Sequence, residues 1–320
     1  MTMSEAQQKQ TPGAQRLARR LTGGNVWFYD PETSPDTILN RLSPRRIEPE
    51  VLASEAAVGR AMVAEIEEAA RARAGDLVII ILGGRGGQAM HRLLGDIART
   101  SDADHLLARL RVFTQDALAP LGMANEFSFV RDFERLLGEA FFRKVKSFTA
   151  MRTDVVDLEG ELSRYLEELE GAGGIDIFFL GLGPEPNAAS HLAYIRPGSG
   201  ATAADVAGII PVSSSILEHH ISKFKAGGSR VKPADEAECR AATQILTLGP
   251  AAILSARRIV QSIVDAGSAP AKRPSYRRLL ETSISDVAAE RTAQLDENPG
   301  LWLRLHPNVR SLVLPDVLGA

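Results

Sequence analysis

The amino-acid sequence predicts an α/β fold, a doubly wound, mostly parallel, Rossmann-like sheet with helices on both faces. Residues 77–82 form an apolar run, LVIIIL, whose β-branched side chains are typical of a strand covered on both faces. Four glycines follow this run and lead into an amphipathic segment. Strand-like runs then alternate with helical segments of about ten to fifteen residues, which favours right-handed strand–helix–strand units.

The first predicted elements lie between residues 50 and 99. Apolar side chains recur at helical spacing from Glu50 to Ala74, and Gly75-Asp76 ends the pattern, which predicts a helix. The buried strand at 77–82 comes next, and a second amphipathic helix is predicted near Gln88–Arg99.

The later elements repeat this order. They are a strand at Leu110–Thr114, a helix across Phe129–Lys146, an acidic helix across Asp157–Glu170, a strand in IDIFFLGLG at 175–183, a helix start at Ile245–Leu254, a strand at Ile259–Val264 and a final strand at Val309–Leu314. Open sheets of this kind bind ligands at the carboxyl ends of their strands. We therefore expect the functional residues in the loops after Leu82, Thr114 and Leu180.

Composition and charge limit the classes of partner. A formal net charge of −3, with Lys and Arg spread along the chain, lacks the basic field that nucleic acid or an anionic membrane requires. The single cysteine, Cys239, excludes an internal disulfide and favours a reducing compartment, and we expect its thiol to be buried and inert. No apolar run reaches the roughly 20 residues of a membrane helix, and the polar start MTMSEAQQKQTPG has no signal-peptide core. These features predict a soluble, cytoplasmic protein that acts on a small molecule.

The loop after the first strand is a candidate anion site. Gly83, Gly84, Gly86 and Gly87 let a ligand approach the backbone closely at a helix start, and Arg85 could add a bidentate contact. The alternative is a glycine-rich turn without a ligand. The loop lacks the GK[ST] of a P-loop and the GxGxxG of a dinucleotide site, and no Cys and His cluster is present, so neither a cofactor nor a metal is expected.

Asp116 and His191 are the candidate proton-transfer groups. Asp116 follows a predicted strand, where partial shielding would raise its pKa and suit it to act as a general base, although an Asp here can also cap a helix. His191 lies a few residues beyond the third strand and could move protons near neutral pH, or be structural. Arg196 ends the same loop and could pair with an anionic ligand or with Glu185.

Together these loops resemble the glucosamine-6-phosphate deaminase and 6-phosphogluconolactonase superfamily. Its deaminases carry TGxTP, FNMDEY and GIGxDGHIAFNEPGS loops, and here LGGRGG at 82–87, FTQDAL at 113–118 and GLGPEPNAASHLAYIRPGSG at 181–200 come in the same order. ILTLGPAAILSARRIV and LWLRLHPNVRSLVLPD resemble the family's ALTVGVGTLLDAEEVM and its C-terminal LQLHP with the closing strand. The resemblance covers roughly residues 46–316. It predicts one α/β domain at 46–320, preceded by an N-terminal extension at 1–45.

The resemblance implies an enzyme in which Asp116 moves a proton between two sugar carbons through an enediol and His191 assists ring opening. The family's Asp-His-Glu relay is expected to be broken, because Arg196 stands where the deaminases have Glu and an insertion displaces Glu185 from the place of the Asp. We keep Glu185 as a third catalytic candidate.

The resemblance also implies a phosphate clamp. Arg85 stands at the Thr of TGxTP, and the family's lysine before ALTVG falls near Arg240 or Thr243. Candidate phosphate-binding side chains are Arg85, Lys232 and Arg240. The neighbouring His219 and His220 cannot share one helical face, and with Lys223 and Lys225 they are expected on an exposed or lid-like helix.

Three functions follow from the resemblance. The first is an aldose–ketose isomerase or deaminase acting on an amino sugar phosphate such as glucosamine 6-phosphate. The second is a 6-phosphogluconolactonase-type hydrolase, although HLAYIRPGS is closer to the deaminase pattern than to the lactonase pattern GxGxDGHTASLF. The third is a non-catalytic sugar-phosphate-binding regulator. The oligomeric state stays open, because deaminases of the family often form homo-oligomers and its lactonases are often monomers.

Overall fold

A computed structural model describes residues 17–319 of the chain. The first 16 residues of the predicted N-terminal extension lie outside this range. The strands are β1 (Ala18–Thr22), β2 (Asn25–Tyr29), β3 (Pro49–Val51), β4 (Leu77–Ile81), β5 (Leu110–Thr114), β6 (Asp116–Ala119), β7 (Ser147–Thr149), β8 (Ile177–Leu180), β9 (Gly183–Pro184), β10 (Ser190–His191), β11 (Asp205–Pro211), β12 (Gln244–Leu248), β13 (Arg258–Ile263) and β14 (Val309–Val313). The helices are α1 (Pro35–Arg41), α2 (Glu55–Ala72), α3 (Arg85–Ala98), α4 (Asp104–Leu107), α5 (Phe129–Lys144), α6 (Leu158–Gly171), α7 (Ser214–Ala226), α8 (Pro233–Arg240), α9 (Pro250–Ser255), α10 (Lys272–Glu281) and α11 (Ala288–Glu297).

The main sheet has seven strands in the order β3-β14-β13-β8-β4-β5-β7, and all of its pairings are parallel. Every residue of β4 is buried, as the LVIIIL run predicts. From β4 the chain first builds outward through β5 and β7, then returns to add β8 on the other side of β4. The order therefore reverses between β4 and β8, which is where open α/β sheets bind ligands. The predicted doubly wound, mostly parallel fold is confirmed.

A second sheet was not predicted. Its five strands run in the order β1-β2-β11-β12-β6, and all pairings are antiparallel. Apart from the β1–β2 hairpin, its strands pair across long stretches of chain, so a local pattern does not show that these segments belong together. The predicted helix start at Ile245–Leu254 is wrong for this reason, because Gln244–Leu248 pairs between β11 and β6 and the helix begins only at Pro250.

The described part of the predicted extension, residues 17–45, contributes β1, β2 and α1. β2 pairs with β11, and Trp27 is fully buried against Gly208, so this segment is built into the second sheet. A domain boundary at residue 46 stays a prediction. None of the helices between residues 17 and 319 combines the length and apolar character needed to cross a membrane.

Candidate active site

A cleft opens at the carboxyl ends of β4, β5, β8 and β13, and we call it the strand-end cleft. The space between its walls, open solvent at the mouth included, is about 490 Å³. Its lining residues are Leu82, Gly83, Arg85, Gly86, Gln115, Asp116, Gly181, Leu182, Gly183, His191, Ala193, Tyr194, His219, Lys223, Ser262, Asp265 and Lys272. The loops after Leu82, Thr114 and Leu180 meet here, as the strand order requires.

The glycine loop forms one wall of the cleft. Helix α3 begins at Arg85, so Gly86 and Gly87 lie inside its first turn and Gly84, at φ 78°, is the residue before it. A side chain at Gly83 would place its Cβ 1.9 Å from the Phe129 ring, so only glycine fits beneath that ring. The first amides of α3 have no partner within the helix and are available to an anion.

Arg85 lines the cleft at the start of α3. Its guanidinium pairs with Glu55, which leaves the buried Nε atom without a hydrogen-bond partner among the described residues. Arg85 therefore lies where the sequence predicts it, with part of its charge already balanced.

Asp116 begins β6 and is buried at the floor of the cleft. Neither of its carboxylate oxygens has a hydrogen-bond partner among the described residues. Burial raises the pKa of this carboxyl to about 7, although the nearby Lys223 ammonium acts in the opposite direction. The group is thus placed and poised to exchange a proton near neutral pH.

His191 and Glu185 form a buried pair. The Nδ1 atom of His191 lies 2.7 Å from Oε1 of Glu185, and Oε2 of Glu185 accepts a 2.8 Å hydrogen bond from the Ser215 hydroxyl. Burial lowers the pKa of His191, and Glu185 opposes this effect. The neutral imidazole donates from Nδ1 to the carboxylate, which leaves Nε2 as an acceptor.

This pair corrects one half of the expectation of a broken relay, because a carboxylate does contact the imidazole. The other half is unchanged, since Arg196 still stands where the deaminase pattern has Glu. The inserted residues turn back at Asn187 and Ala188, both at φ 58°, so that β9 and β10 pair and Gly183 lies opposite His191. The turn returns Glu185 to the side of the imidazole. A pattern aligned by sequence position could not show this, because the return depends on left-handed backbone at two residues that are not glycine.

Gly183 makes room for the imidazole. A Cβ at this position would lie 1.7 Å from Nε2 of His191. The ring therefore lies directly over the Gly183 backbone, at the edge of the cleft.

The structure brings two further lysines to the site, the buried Lys272 and the half-buried Lys223. Lys223 donates a 2.6 Å hydrogen bond to the Tyr194 hydroxyl, and Lys272 pairs with Asp265 at 2.6 Å. All four residues line the cleft. Their convergence depends on the packing of α7 and α10 around the sheet, and the sequence offered only the strand-end position of Asp265 as a signal.

The expectation that His219 and His220 lie exposed on their helix is wrong for His220, which is buried, whereas a lid-like role of the helix stays a prediction. His219 lines the strand-end cleft, and His220 is buried with its Nε2 atom 2.8 Å from the Phe127 carbonyl. The apolar side of helix α7 packs against Phe129, and His220 contacts that ring directly. His219 is the neighbouring residue on the helix and faces the cleft.

Three predicted binding residues lie away from the strand-end cleft. Lys232 is exposed just before α8, and Arg240 is exposed at the end of that helix, paired with Glu218 and Glu236. Arg196 lines a separate cleft with Arg278, and its guanidinium donates to the Pro197 carbonyl. Glu185 borders that second cleft as well.

The far end of the His191 loop is held by the N-terminal hairpin. The side chains of Asn25 and Trp27 both donate to the Ser199 carbonyl, at 2.8 and 3.2 Å. Arg20 donates to the Gly200 carbonyl at 2.7 Å and pairs with Asp205. The segment predicted as an extension therefore anchors the loop that carries the candidate histidine.

Two remaining expectations concern Cys239 and metals. Cys239 is buried as predicted, and burial raises the pKa of its thiol to about 12. Within residues 17–319, no group of three or more His, Cys, Asp or Glu side chains is placed to hold a metal ion.

Comparison with solved structures places this fold beside sugar-phosphate enzymes. A monomeric glucosamine-6-phosphate deaminase superposes with a TM-score of 0.61, at 19% identity over 85% of this chain and 99% of that one. The 6-phosphogluconolactonase of Trypanosoma cruzi gives 0.57 at 15% identity, covering 87% and 98% of the two chains. The 6-phosphogluconolactonase of Thermotoga maritima gives 0.54 at 12% identity, covering 84% and 99%.

Sequence comparison adds a local match. Glucosamine-6-phosphate deaminases of Bacteroides fragilis and Bacteroides thetaiotaomicron are each 36% identical, over 56 and 59 residues, or 18% of this chain. The match spans about a fifth of the length of these relatives, 19% and 20%. No protein-family model matches the chain. The predicted resemblance is confirmed at the level of the fold.

Proposed function

Since this chain shares the fold of the glucosamine-6-phosphate deaminases and 6-phosphogluconolactonases, we propose that it is a cytoplasmic sugar-phosphate enzyme. Its preferred reaction is the deamination and isomerisation of an amino sugar phosphate such as glucosamine 6-phosphate. One observation carries the proposal: the buried Asp116 carboxyl, whose oxygens accept no hydrogen bond from the described residues, and the His191 imidazole, held from behind by Glu185, line the same strand-end cleft. One small molecule in the cleft could thus lose a proton from carbon to Asp116 and a proton from oxygen to His191.

The phosphate group is assigned to the glycine-loop wall. Gly83, Arg85 and Gly86 at the start of α3 line the cleft, and the side chains of Arg85, Lys223 and Lys272 add positive charge beside them. This set replaces Lys232 and Arg240, which lie elsewhere. An anionic substrate suits the cleft because its cations outnumber the carboxylates that line it, Asp116 and Asp265.

The proton steps use the two candidate groups in turn. The Nε2 atom of His191 takes the proton of the anomeric hydroxyl and delivers it to the ring oxygen, which opens the sugar ring. Asp116 then removes the proton from C2, which gives an enediol-type (enolamine) intermediate whose C1 oxygen takes a proton from the C2 ammonium group. Return of the carbon proton to C1 leaves a hydroxymethyl group at C1 and an iminium group at C2. Water adds at C2 and ammonia leaves, giving fructose 6-phosphate and ammonia from glucosamine 6-phosphate and water.

Lactone hydrolysis is the second candidate. A neutral His191 whose Nδ1 is held by Glu185 can take a proton from water at Nε2 while that water attacks a lactone carbonyl. Lactone hydrolysis removes no proton from a carbon atom, so it makes no use of Asp116 as a base. Since the loop HLAYIRPGS is closer to the deaminase pattern, we rank this activity second.

Two assays separate these functions. Purified protein is incubated with glucosamine 6-phosphate while ammonia and fructose 6-phosphate are followed, and separately with 6-phosphogluconolactone while its hydrolysis is followed. Deamination that disappears in Asp116→Asn and persists in the exposed control Asp102→Asn supports the first function. Hydrolysis that depends on His191 and tolerates Asp116→Asn supports the second, and inactivity in both assays contradicts both.

A further inference from the structure

A directional chain of hydrogen bonds ends at the ammonium group of Lys223. The Nε2–H of His220 donates to the Phe127 carbonyl at 2.8 Å, so its Nδ1 atom must accept, and it does so from the Tyr194 hydroxyl at 2.6 Å. The Tyr194 oxygen in turn accepts from Nζ of Lys223 at 2.6 Å. Because the Tyr194 hydroxyl has a single proton and the neutral His220 ring a single N–H, each hydrogen bond in this chain runs in one direction, from Lys223 toward the Phe127 carbonyl.

We propose that Tyr194 is a positioning residue that holds the Lys223 ammonium over the glycine loop, where it binds the phosphate group of the substrate. The proposal deepens the function given above and rests on it. It concerns this chain in particular, because the deaminase pattern DGHIAFNEPG has Phe at the place of Tyr194 and therefore offers no hydroxyl there.

The position of Lys223 fits an anion on the glycine loop. A Cβ built on Gly84 would lie 2.9 Å from Cδ of Lys223, so the lysine stem crosses directly over that glycine. Its Nζ atom lies 4.6 Å from the centre of the Phe129 ring and 4.8 Å from that of Tyr194. The rings confine the ammonium to the space above the start of α3.

Lys223 also differs from the other cations of the cleft in its partner. Arg85 pairs with Glu55 and Lys272 with Asp265, so each already faces a carboxylate. The hydrogen-bond partner of Lys223 is the neutral Tyr194 hydroxyl, and an ammonium has two further N–H groups to offer. The positive charge available to a ligand is therefore concentrated on Lys223.

The charged groups around Lys223 come from several elements. Burial lowers the pKa of Lys223 to about 8, while Asp116 acts in the opposite direction. Other charged side chains near Lys223 lie on α10, on α5 and just after β13, and three histidines lie nearby. These groups are Lys272, Asp265, Asp132, His219, His220 and His191. Because the Tyr194 oxygen accepts from the charged form, removing it should lower the lysine pKa further.

The first test measures the lysine directly and needs no turnover. The signal of the Lys223 side chain, assigned by its loss in Lys223→Met, is titrated by NMR in the wild-type protein, in Tyr194→Phe and in Tyr276→Phe. Tyr276 is a matched control, since its buried hydroxyl bonds to Ser311 and it does not line the cleft. We expect a lower titration midpoint in Tyr194→Phe alone. An unchanged midpoint would overturn the proposal.

The second test measures anion binding and kinetics. Inorganic phosphate should bind about tenfold more weakly to Tyr194→Phe than to the wild type or Tyr276→Phe, the usual scale for a lost charge-assisted contact. With an active substrate, KM should rise by a similar factor with kcat little changed, and the alkaline limb of kcat/KM should move to lower pH.

The two proposals can fail separately. If no sugar phosphate is turned over while Tyr194→Phe still weakens phosphate binding and shifts the Lys223 midpoint, the positioning role stands and the proposed reaction falls. Turnover with unchanged KM, phosphate affinity and pH profile in Tyr194→Phe would sink the positioning role and leave the reaction in place.

Discussion

The carboxylate of Glu185 lies 2.7 Å from Nδ1 of His191, although five residues of loop lie between them along the chain. The second oxygen of Glu185 is held by the Ser215 hydroxyl at the start of α7. The imidazole is therefore oriented by a carboxylate that is itself oriented. This is the arrangement that keeps a histidine in one tautomer and stabilises the charge it gains as a base.

Replacing Glu185 tests this role. Glu185→Gln keeps the size of the side chain and removes its charge, so we expect a loss in kcat of about 10- to 100-fold, with a smaller change in KM. Steady-state kinetics on the active substrate gives the measurement. Arg196→Gln is the matched control from the same loop, because Arg196 lies outside the strand-end cleft and should leave kcat within about twofold. Equal effects of the two changes would contradict the role of Glu185.

The pH dependence of the reaction should be bell-shaped and narrow. Asp116, with a pKa raised to about 7, must be ionised to accept a proton, so kcat/KM should rise with pH through that value. Lys223, with a pKa lowered to about 8, must be protonated to bind phosphate, so kcat/KM should fall above it. In Lys223→Arg the charge persists at every accessible pH, and the alkaline limb should move upward. A profile flat between pH 5 and 9 would contradict both assignments.

Asp116→Asn should make the protein more stable while it abolishes proton transfer. The unfolded carboxyl ionises near its ordinary pKa of 3.8, whereas the folded one holds its proton up to about pH 7. The loss of folding free energy caused by this buried carboxyl is therefore absent below the unfolded pKa of 3.8, grows as the pH rises towards 7 and is complete above pH 7. At pH 8 we expect a gain in the free energy of unfolding of up to about 4 kcal/mol.

Chemical denaturation at pH 4 and pH 8 measures this effect. The gain from Asp116→Asn should be large at pH 8 and small at pH 4, and the exposed control Asp102→Asn should change little at either pH. A gain that is independent of pH would mean that the carboxyl is not the source.

Gly183→Ala should displace His191. The added methyl would lie 1.7 Å from Nε2 of the imidazole. Because the imidazole is a rigid ring, the whole ring would have to move to relieve this clash. We expect kcat to fall at least about tenfold and stability to drop by about 1–3 kcal/mol, the usual range for overpacking. Gly171→Ala, at the end of α6 with no atom within 4 Å of the added carbon, should be neutral or slightly stabilising. Thermal unfolding and kinetics of both variants give the comparison.

The main sheet and the positions of the two candidate proton carriers follow from local patterns. The run LVIIIL is apolar because β4 is covered on both faces, and Asp116 and His191 come soon after predicted strands, so strand order alone brings both to one edge. Their chemical roles stay predictions until the variants are measured.

The rest of the site depends on tertiary structure. Glu185 reaches His191 through a turn whose left-handed residues, Asn187 and Ala188, give no glycine signal. Lys223 and Lys272 arrive from helices α7 and α10, whose contacts with the sheet no periodicity specifies. Of the candidate phosphate residues, Lys232 lies exposed just before α8 and Arg240 lies exposed at its end, because sequence position alone does not show which side chains face the cleft.

The hydrogen bonds from Asn25 and Trp27 to Ser199 span 174 and 172 residues of the chain. Contacts between residues so far apart in sequence cost more loop-closure entropy than contacts between neighbouring elements. By contrast, β4 and β5 are consecutive strands of the main sheet and pair with each other. We expect the β4–β5–β7 part of the main sheet to form first during refolding and the His191 loop to become fixed late, once the hairpin docks. Ligand binding in the cleft would then recover more slowly than secondary structure, so a refolding molecule would have its sheet before it has a complete site.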